Sequence, residues 1–401
     1  MEYKLRTHEL EWNRDMHYAL GFSKLWCRAL GIWPWKRNKI STARFALLFG
    51  LEVAAVVSLL ERLLTHGNCG SVTNFIDVMA AILGFTVAAL KVCCPWMQQE
   101  RMCFIIQSLM EDWSSVGDNR SRQIMSQYAF WGRLAFTAQI IPAAVIALEF
   151  SITRAPSLTS DTFRNNSLST HNLLVGPSCW IPDTMPMSLY LLHYFLVFFG
   201  LYSAILIFPG CDAFVFSVVL HLCGQFEVLN QSFENVPHDE SDLDHKRRIR
   251  EYSRRHNKLL TLGNELNDLV SLIIFSELFS NGMVICLSGI VILSNIKRGN
   301  VSDDDINYGV RIYIWYCELF MYSYVGEQLA SQSEKIQKTI YGCPWYSMSV
   351  NTAKEIKFIM MRNNSFCYLT AGGILVMNYE TFKDITRIMF SSCSVLKLIL
   401  E

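Results

Sequence analysis

The chain has 401 residues, of which 51% are hydrophobic and 13% aromatic, while only 17% are charged and the formal net charge at pH 7 is zero. Soluble globular proteins carry about 25% charged residues, so this composition argues against a soluble protein and favours an integral membrane protein. The neutral balance and the lack of a basic patch interleaved with aromatic residues give no reason to expect a nucleic acid partner.

The amino-terminal residues 1–44 are predicted to form a cytoplasmic segment. Their first part holds charged side chains such as Lys4, Arg6 and Asp15, and it lacks the apolar run of a cleavable signal peptide. We therefore expect the amino end to stay in the cytosol.

Seven apolar segments are long enough to cross a membrane, since a helix needs about 20 mainly apolar residues to span a hydrocarbon core of roughly 30 Å. They cover residues 45–64, 75–97, 129–152, 186–222, 269–294, 308–330 and 369–400. Cytoplasmic connections of membrane proteins hold the excess of Lys and Arg. With the amino end inside, the cytoplasmic segments hold 24 Lys and Arg residues, several times more than the outer connections. The sequence thus predicts an all-α membrane protein with seven transmembrane helices, a cytoplasmic amino end and Glu401 outside.

Two of the seven segments are longer than a bilayer requires. The fourth, continued to Cys223, would measure roughly 55 Å as a helix at 1.5 Å per residue, and the sixth runs on into a polar helix. We expect the excess to extend into a cytoplasmic anchor bundle, a natural place for subunits to join. The predicted organisation is transmembrane helices one to six over residues 45–330, cytoplasmic anchor helices over 331–368, and a pore-lining last helix over 369–401.

Polar residues recur on one face of the last segment, at spacings of three and four residues that bring them to the same side of a helix. The members of this face are Asp384, Ile388, Ser391, Ser392, Val395 and Ile399. Polar side chains inside a membrane face protein or water rather than lipid. The face is therefore predicted to be the wall of a water-filled path, which Val395 and Ile399 close near its outer end.

Ionisable residues within the spans are functional candidates by default, although those near span ends can reach water by snorkelling. They are Glu52, Asp77, Lys91, Glu149, Asp212, Glu277, Arg311 and Glu318. For Asp212, two roles remain open, organisation of the cytoplasmic bundle and contact with ions.

The 13 cysteines give no metal-binding pattern, and most lie within spans, where free Cys behaves as a small hydrophobic residue. Cys69 and Cys179 are both predicted to lie outside, so they are the pair that could form a disulfide. We find no nucleophile, phosphate loop or paired carboxylates that would indicate an enzyme, and we predict no cofactor.

Four stretches carry a resemblance to a known family. They are Glu318-Leu-Phe-Met-Tyr-Ser-Tyr-Val-Gly-Glu327, Ile340-Tyr-Gly-Cys-Pro-Trp-Tyr346, Thr381-Phe382 and Ser391-Ser-Cys-Ser-Val-Leu-Lys397. Through them the chain resembles insect odorant receptors over essentially its full length. It departs from the family pattern at Ser392-Cys393, where members usually have an aromatic residue.

The resemblance implies an odorant-gated, non-selective cation channel made of four subunits around one pore, in the plasma membrane of olfactory sensory neurons. Each subunit would contribute its last helix, and Val395 and Ile399 align with the apolar gate positions of the family. The short connection between spans four and five is similar to that of ligand-tuning subunits. The implied partners are an odorant co-receptor subunit in a tetramer, a small volatile and largely apolar odorant, and membrane lipid.

The resemblance also implies that the outer halves of spans two, three, four and six line the odorant pocket. Tyrosine suits such a pocket because it offers a broad apolar face and one hydroxyl group. The candidates by helical spacing are Met79, Ile82, Ile141, Val145, Leu148, Tyr190, Tyr194, Tyr313 and Tyr316. For each of them, packing between helices is the alternative reading.

Three other functions are alternatives to an odorant-gated channel. A gustatory-type ligand-gated channel of the same architecture is the nearest alternative. A G-protein-coupled receptor would start outside, and the third and last spans lack the Asp-Arg-Tyr and Asn-Pro-x-x-Tyr motifs. A transporter should show internal repeats with broken helices, and the two halves of this sequence show no such symmetry.

Epitope tags test the predicted orientation. In intact cells, we expect antibody to stain a tag after Glu401 but not a tag before Met1, because the Lys and Arg excess holds the amino end inside. Permeabilised cells should stain with both tags, which provides the control. Staining of the amino-terminal tag without permeabilisation would show the opposite topology.

Overall fold

The structure is a computed structural model that describes residues 12–35, 37–67, 72–153, 173–180, 186–234, 242–297, 303–343, 345–362 and 366–400. The side chains of residues 395–400 lie outside the described part, as do Cys69 and Glu401.

Ten α-helices make up most of the described chain. They are α1 (Arg14–Ala29), α2 (Lys39–His66), α3 (Val72–Met97), α4 (Gln99–Ser115), α5 (Asn119–Thr153), α6 (Met187–Glu234), α7 (Asp242–Lys297), α8 (Asp303–Gly342), α9 (Val350–Arg362) and α10 (Tyr379–Leu400). Two short 3₁₀ turns, Ser178–Trp180 and Trp345–Ser347, accompany them. An antiparallel hairpin of β1 (Thr370–Ala371) and β2 (Leu375–Val376) precedes the last helix.

The seven predicted spans fall on α2, α3, α5, α6, α7, α8 and α10, which confirms the seven-helix membrane fold. Length and apolar composition alone identify four of the described helices as able to cross a membrane. These four correspond to α2, α3, α6 and α7. Helices α8 and α10 are less apolar because they keep tyrosines or charged residues such as Arg311 and Arg387.

The three longest helices extend well beyond a bilayer, which the sequence predicted for α6 and α8 but not for α7. Helices α6, α7 and α8 contain 48, 56 and 40 residues. At 1.5 Å per residue, α7 alone is about 84 Å long, nearly three times the roughly 30 Å of a hydrocarbon core. Their inner ends pack together with α4 and α9 to form the cytoplasmic bundle.

Ion pairs hold α4 against this bundle. The Arg101 guanidinium lies 2.5 Å from the Asp268 carboxylate of α7. Asp112 is buried and receives Lys258 Nζ at 2.8 Å, while His221 Nε2 lies 3.2 Å from its other oxygen. Burial by itself raises the pKa of the Asp112 carboxyl, but His221 and Lys258 outweigh burial and hold that pKa below its ordinary value. Asp112 therefore contributes stability above its ordinary pKa, and the contribution is lost as the pH falls through the lowered value.

The last helix begins later than the sequence predicted. The segment 369–400 was expected to be one helix, but its first residues form the β-hairpin and the helix begins at Tyr379. Gly372 and Gly373 connect the two strands with φ angles of 63° and 71°, a left-handed conformation that glycine adopts without a steric penalty. This pair of glycines ends any helix before it can propagate from residue 369.

The hairpin is attached to two neighbouring helices. Thr370 N donates to Asn267 Oδ1 of α7 at 2.7 Å, and Gly372 N donates to the Ser271 carbonyl oxygen at 2.9 Å. On the other side, a Cβ at Gly326 of α8 would lie only 2.1 Å from the Met377 carbonyl oxygen. The hairpin thus fixes the base of α10 against α7 and α8.

An amino-terminal helix, α1, lies within the segment predicted only as cytoplasmic. It begins after Asn13, whose side chain accepts a hydrogen bond from Met16 N at 2.8 Å and caps the helix. Trp26 then donates from Nε1 to the Leu206 carbonyl oxygen of α6 at 2.9 Å, in space left by Gly210. Helix α1 is therefore packed into the bundle against α5 and α6.

Candidate functional site

A fully buried lysine lies at the centre of the helix bundle. Lys91 of α3 forms ion pairs with Asp212 of α6 and Glu277 of α7, and its Nζ lies 3.7 Å from Glu318 Oε1 of α8. Tyr322 donates from its hydroxyl to Asp212 Oδ1 at 2.5 Å. Residues predicted individually as intramembrane candidates thus come together at one point, which joins four helices.

This cluster is held together by compensation of charge. A lone buried ion is costly in a low-dielectric interior, and Lys91 and the carboxylates around it offset each other's cost. Asn281 adds a hydrogen bond from Nδ2 to Glu318 Oε2 at 3.4 Å. Oxygens of the three carboxylates lie within 4.8 Å of one another, so the arrangement depends on the ammonium group among them. Of the two roles left open for Asp212, its place in this cluster favours organisation of the bundle.

Two of the predicted pocket tyrosines lie on the inward face of α6. Tyr190 and Tyr194 are buried, and their ring centroids are 6.3 Å apart. Between them, buried His193 places Nδ1 at 2.9 Å from Ser58 Oγ of α2. Its Nε2 has no hydrogen-bond partner among the described residues. His193 is not among the residues predicted from the sequence, although an ionisable residue between two tyrosines in an apolar span is a usable signal.

The candidates on α3 and α5 differ in their surroundings. Ile82 is buried in the core and Met79 packs against the core. Ile141, Val145 and Leu148 are 62%, 59% and 62% exposed, so the structure does not pack them with the buried tyrosines of α6. They share one stripe of α5 that faces away from the rest of the described chain, and their place in a pocket stays a prediction.

The two tyrosine candidates on α8 have different positions. Tyr313 is 69% exposed. Tyr316 reaches the last helix, where its hydroxyl lies 3.2 Å from Thr386 Oγ1 and its ring centroid 5.1 Å from that of Phe382. Tyr316 therefore connects the region predicted to bind ligand with α10.

Helix α10 packs with one face and leaves the other face open. Phe382, Ile385 and Met389 contact the bundle, whereas three members of the predicted pore face are exposed. They are Asp384, Ile388 and Ser391. Ser392 is half-buried at the edge of the packed face. The side chains of Val395 and Ile399 lie outside the described part of the chain.

The cysteines follow the predicted pattern where they are described. Cys179 is in a disulfide, and Cys69, the residue with which it could pair according to the sequence, lies outside the described residues. The remaining cysteines of the described ranges are free thiols.

The fold and the site define an integral membrane protein with seven spanning helices, a central ion cluster and a last helix that is packed on one side only. The chain belongs to the 7tm Odorant receptor family, whose sequence profile matches residues 71–390. This is a family of receptors, not of enzymes. Membership favours the predicted odorant receptor over the gustatory alternative.

Curated relatives and solved structures agree with this assignment. Odorant receptor 10a of Drosophila melanogaster is 26% identical over 204 residues, which are 45% of this chain and 48% of the relative. Odorant receptor 10 of Aedes albopictus is 21% identical over 49% of this chain and 54% of the relative. The chain thus aligns with about half the length of these relatives.

The fold is shared with olfactory receptor OR5 from Machilis hrabei. Its structure in complex with eugenol matches with a TM-score of 0.73 at 12% identity, over 96% of this chain and 100% of that chain. A second structure of the same receptor matches with a TM-score of 0.74 at 13% identity, over 94% and 97%.

Substitution of Lys91 tests the role of the ion cluster. In Lys91→Met, the carboxylates of Asp212 and Glu277 lose their counter-ion, and removal of one partner of a buried ion pair costs about 3–5 kcal/mol. We expect a lower melting temperature of the detergent-solubilised protein and reduced surface expression. The control is Lys338→Met, the same substitution at an exposed lysine.

A second variant separates loss of charge balance from loss of packing. Glu277→Gln added to Lys91→Met removes one carboxylate that has lost its counter-ion. The double variant should therefore recover part of the decrease in melting temperature that Lys91→Met causes. Equal melting temperatures for Lys91→Met and the unmodified protein would show that the cluster does not stabilise the bundle.

Proposed function

We propose that this chain is a ligand-tuning subunit of an odorant-gated, non-selective cation channel. It would assemble with an odorant co-receptor subunit as a tetramer in the plasma membrane of olfactory sensory neurons. The observation that carries the proposal is the exposed polar face of α10, since a helix inside a membrane does not expose Asp384 and Ser391 to lipid.

Four copies of this helix around a common axis would enclose a water-filled path, and the polar face of each helix would line it. The packed face of each α10 would then hold it to its own bundle through Phe382, Ile385 and Met389. Val395 and Ile399 continue the exposed stripe by helical spacing and would form apolar rings, which close a pore by removing water from a constriction.

The ligand site is proposed in the outer half of the bundle, around Tyr190, His193 and Tyr194. Their buried rings give an apolar surface, and His193 Nε2 offers one polar group to fix the orientation of a ligand. Eugenol, bound by the structurally similar receptor, is a small, mainly apolar molecule with a polar end. We therefore propose the same chemical class of ligand here, a small volatile compound with at most a few polar atoms.

Tyr316 provides a route from the ligand site to the pore. Its ring contacts Phe382 and its hydroxyl meets Thr386, beside the ring contacts that Phe320 of α8 makes with Phe382 and Tyr379. A ligand that shifts the outer part of α8 would thereby change the position of α10. Opening of the channel then requires α10 to move against its packed face.

Gate substitutions test the pore assignment. Val395→Ser and Ile399→Ser should make a closed apolar constriction wettable and raise the current without ligand. The measurement is whole-cell recording from cells that express the chain with a co-receptor, after surface expression has been checked. Leu396→Ser is the matched control, because residue 396 lies about 100° around the helix from residue 395 and should act mainly through packing. Normal resting currents and ion permeability in both gate variants would remove these residues from the pore.

Tyrosine substitutions test the ligand site and its connection to the pore. Tyr194→Ala should raise the half-maximal agonist concentration by several-fold up to about a hundredfold, because an apolar contact is worth about 1–3 kcal/mol. Tyr316→Phe removes only the hydroxyl that meets Thr386, so we expect a smaller maximal current with little change in agonist potency. Tyr313→Ala tests whether the ligand also contacts the exposed side of α8, because Tyr313 lies outside the group of Tyr190, His193 and Tyr194.

Dose–response curves for several agonists distinguish these outcomes. Unchanged potency for every agonist in Tyr194→Ala, with normal currents, would contradict the proposed ligand site. An unchanged maximal current in Tyr316→Phe would contradict the proposed route to α10.

A further inference from the structure

Two free cysteines face each other between α7 and α10. Cys286 donates from Sγ to the Met389 carbonyl oxygen at 3.6 Å, and Cys393 donates from Sγ to the Cys286 carbonyl oxygen at 3.6 Å. Both side chains are half-buried and neither is in a disulfide.

Small residues bring the two helices close at this point. Gly282, Cys286 and Gly289 are spaced by four and three residues, so they share the face of α7 that meets α10. A Cβ at Gly289 would lie 3.4 Å from Cys393 Sγ, and a Cβ at Gly282 would lie 3.4 Å from Met389 Cε. Larger side chains here would separate the helices, whereas this face lets Cys393 approach Cys286 closely.

The pair lies in the outer half of the two helices. Cys286 lies 11 residues before Lys297, the last residue of α7, and Cys393 lies seven residues before Leu400, the last residue of α10. At 1.5 Å per residue, these are distances of about 16 Å and 10 Å. In the predicted topology both helix ends are outside, and the extracellular medium is oxidising.

We propose that Cys286 and Cys393 form a redox-modification site whose oxidation ties α10 to α7 through a disulfide. The inference rests on the proposed function in one respect, that movement of α10 opens the pore. A bond between the two sulfur atoms would keep α10 in the arrangement seen here. The oxidised receptor then responds less to its ligand, and reduction restores the response.

The reaction balances with a peroxide as the oxidant. The thiolate of one cysteine attacks the O–O bond of hydrogen peroxide, which gives a sulfenic acid and, after uptake of a proton, one water molecule. The second thiolate attacks that sulfur and displaces the hydroxyl group, which takes up a proton and leaves as a second water molecule. In total, two thiols lose two electrons and two protons, one S–S bond forms, and one O–O bond breaks.

Mass spectrometry tests the chemistry without any requirement for channel activity. The full-length receptor is purified, treated with hydrogen peroxide, alkylated and digested with trypsin. We expect a linked pair of peptides, 259–297 and 388–397, each of which contains a single cysteine. The link should disappear after dithiothreitol and in Cys286→Ala and Cys393→Ala, and it should persist in the control Cys93→Ser. Absence of the linked peptides in the oxidised, unmodified receptor would overturn the proposed site.

Electrical recording tests whether oxidation reduces the response of the receptor to its ligand. Hydrogen peroxide should remove most of the ligand-evoked current of the unmodified receptor and of Cys93→Ser, and dithiothreitol should restore it. Cys286→Ala and Cys393→Ala should keep their current after the same treatment. An equal loss of current in these two variants, or no loss in the unmodified receptor, would overturn the proposal that the disulfide restrains α10. A receptor that forms the link but gives no ligand-evoked current in any variant would contradict the proposed channel function while it leaves the dithiol site in place.

Discussion

The buried ion cluster around Lys91 is the interaction on which the arrangement of the bundle depends. Lys91 reaches Asp212, Glu277 and Glu318, so one ammonium group sets the relative height and rotation of α3, α6, α7 and α8. Apolar packing tolerates a shift of a helix by a fraction of a turn, because one aliphatic contact can replace another. A buried charge does not tolerate it, since a displaced partner leaves an uncompensated ion.

The packing of α6 differs on the two sides of this cluster. Between Ile207 and Gly224, nearly every residue of α6 is buried, and the same part of the helix meets α1, α4 and α8. Between Met187 and Gly200, one face is buried and exposed residues alternate with it. Stability within a protein follows such differences in contact density. The inner half of the bundle is therefore the firm support, and the outer half, where the ligand is proposed to bind, is the part that can adjust.

The last helix is held in two different ways. Its base is fixed by the β-hairpin, through Asn267 and the close approach at Gly326. Along its length it has only one packed face, with Tyr316 and the Cys286–Cys393 contact on that face. A helix fixed at its base and held along one side can tilt with changes mainly at that one packed face. Such an element is suited to the proposed gating, because the motion would be confined to the helix proposed to line the pore.

The sequence by itself determined the features that are local along the chain. The seven spans follow from apolar runs of sufficient length, and the inner extension of α6 follows from a run that exceeds a bilayer. The polar face of α10 follows from helical periodicity, and Asp384, Ile388 and Ser391 do lie together on its exposed side. Each of these properties depends on residues within a few turns of one helix.

Only the tertiary structure decided which side chains from different helices meet. Lys91 and Asp212 are 121 residues apart, and their pairing depends on the rotation and register of two helices. The same packing left Ile141 and its neighbours on α5 exposed, brought Cys286 to Cys393, and placed Gly372-Gly373 in a hairpin where a helix was predicted. Helix rotation is set by the sum of many contacts with several neighbours, and no single stretch of sequence contains that sum.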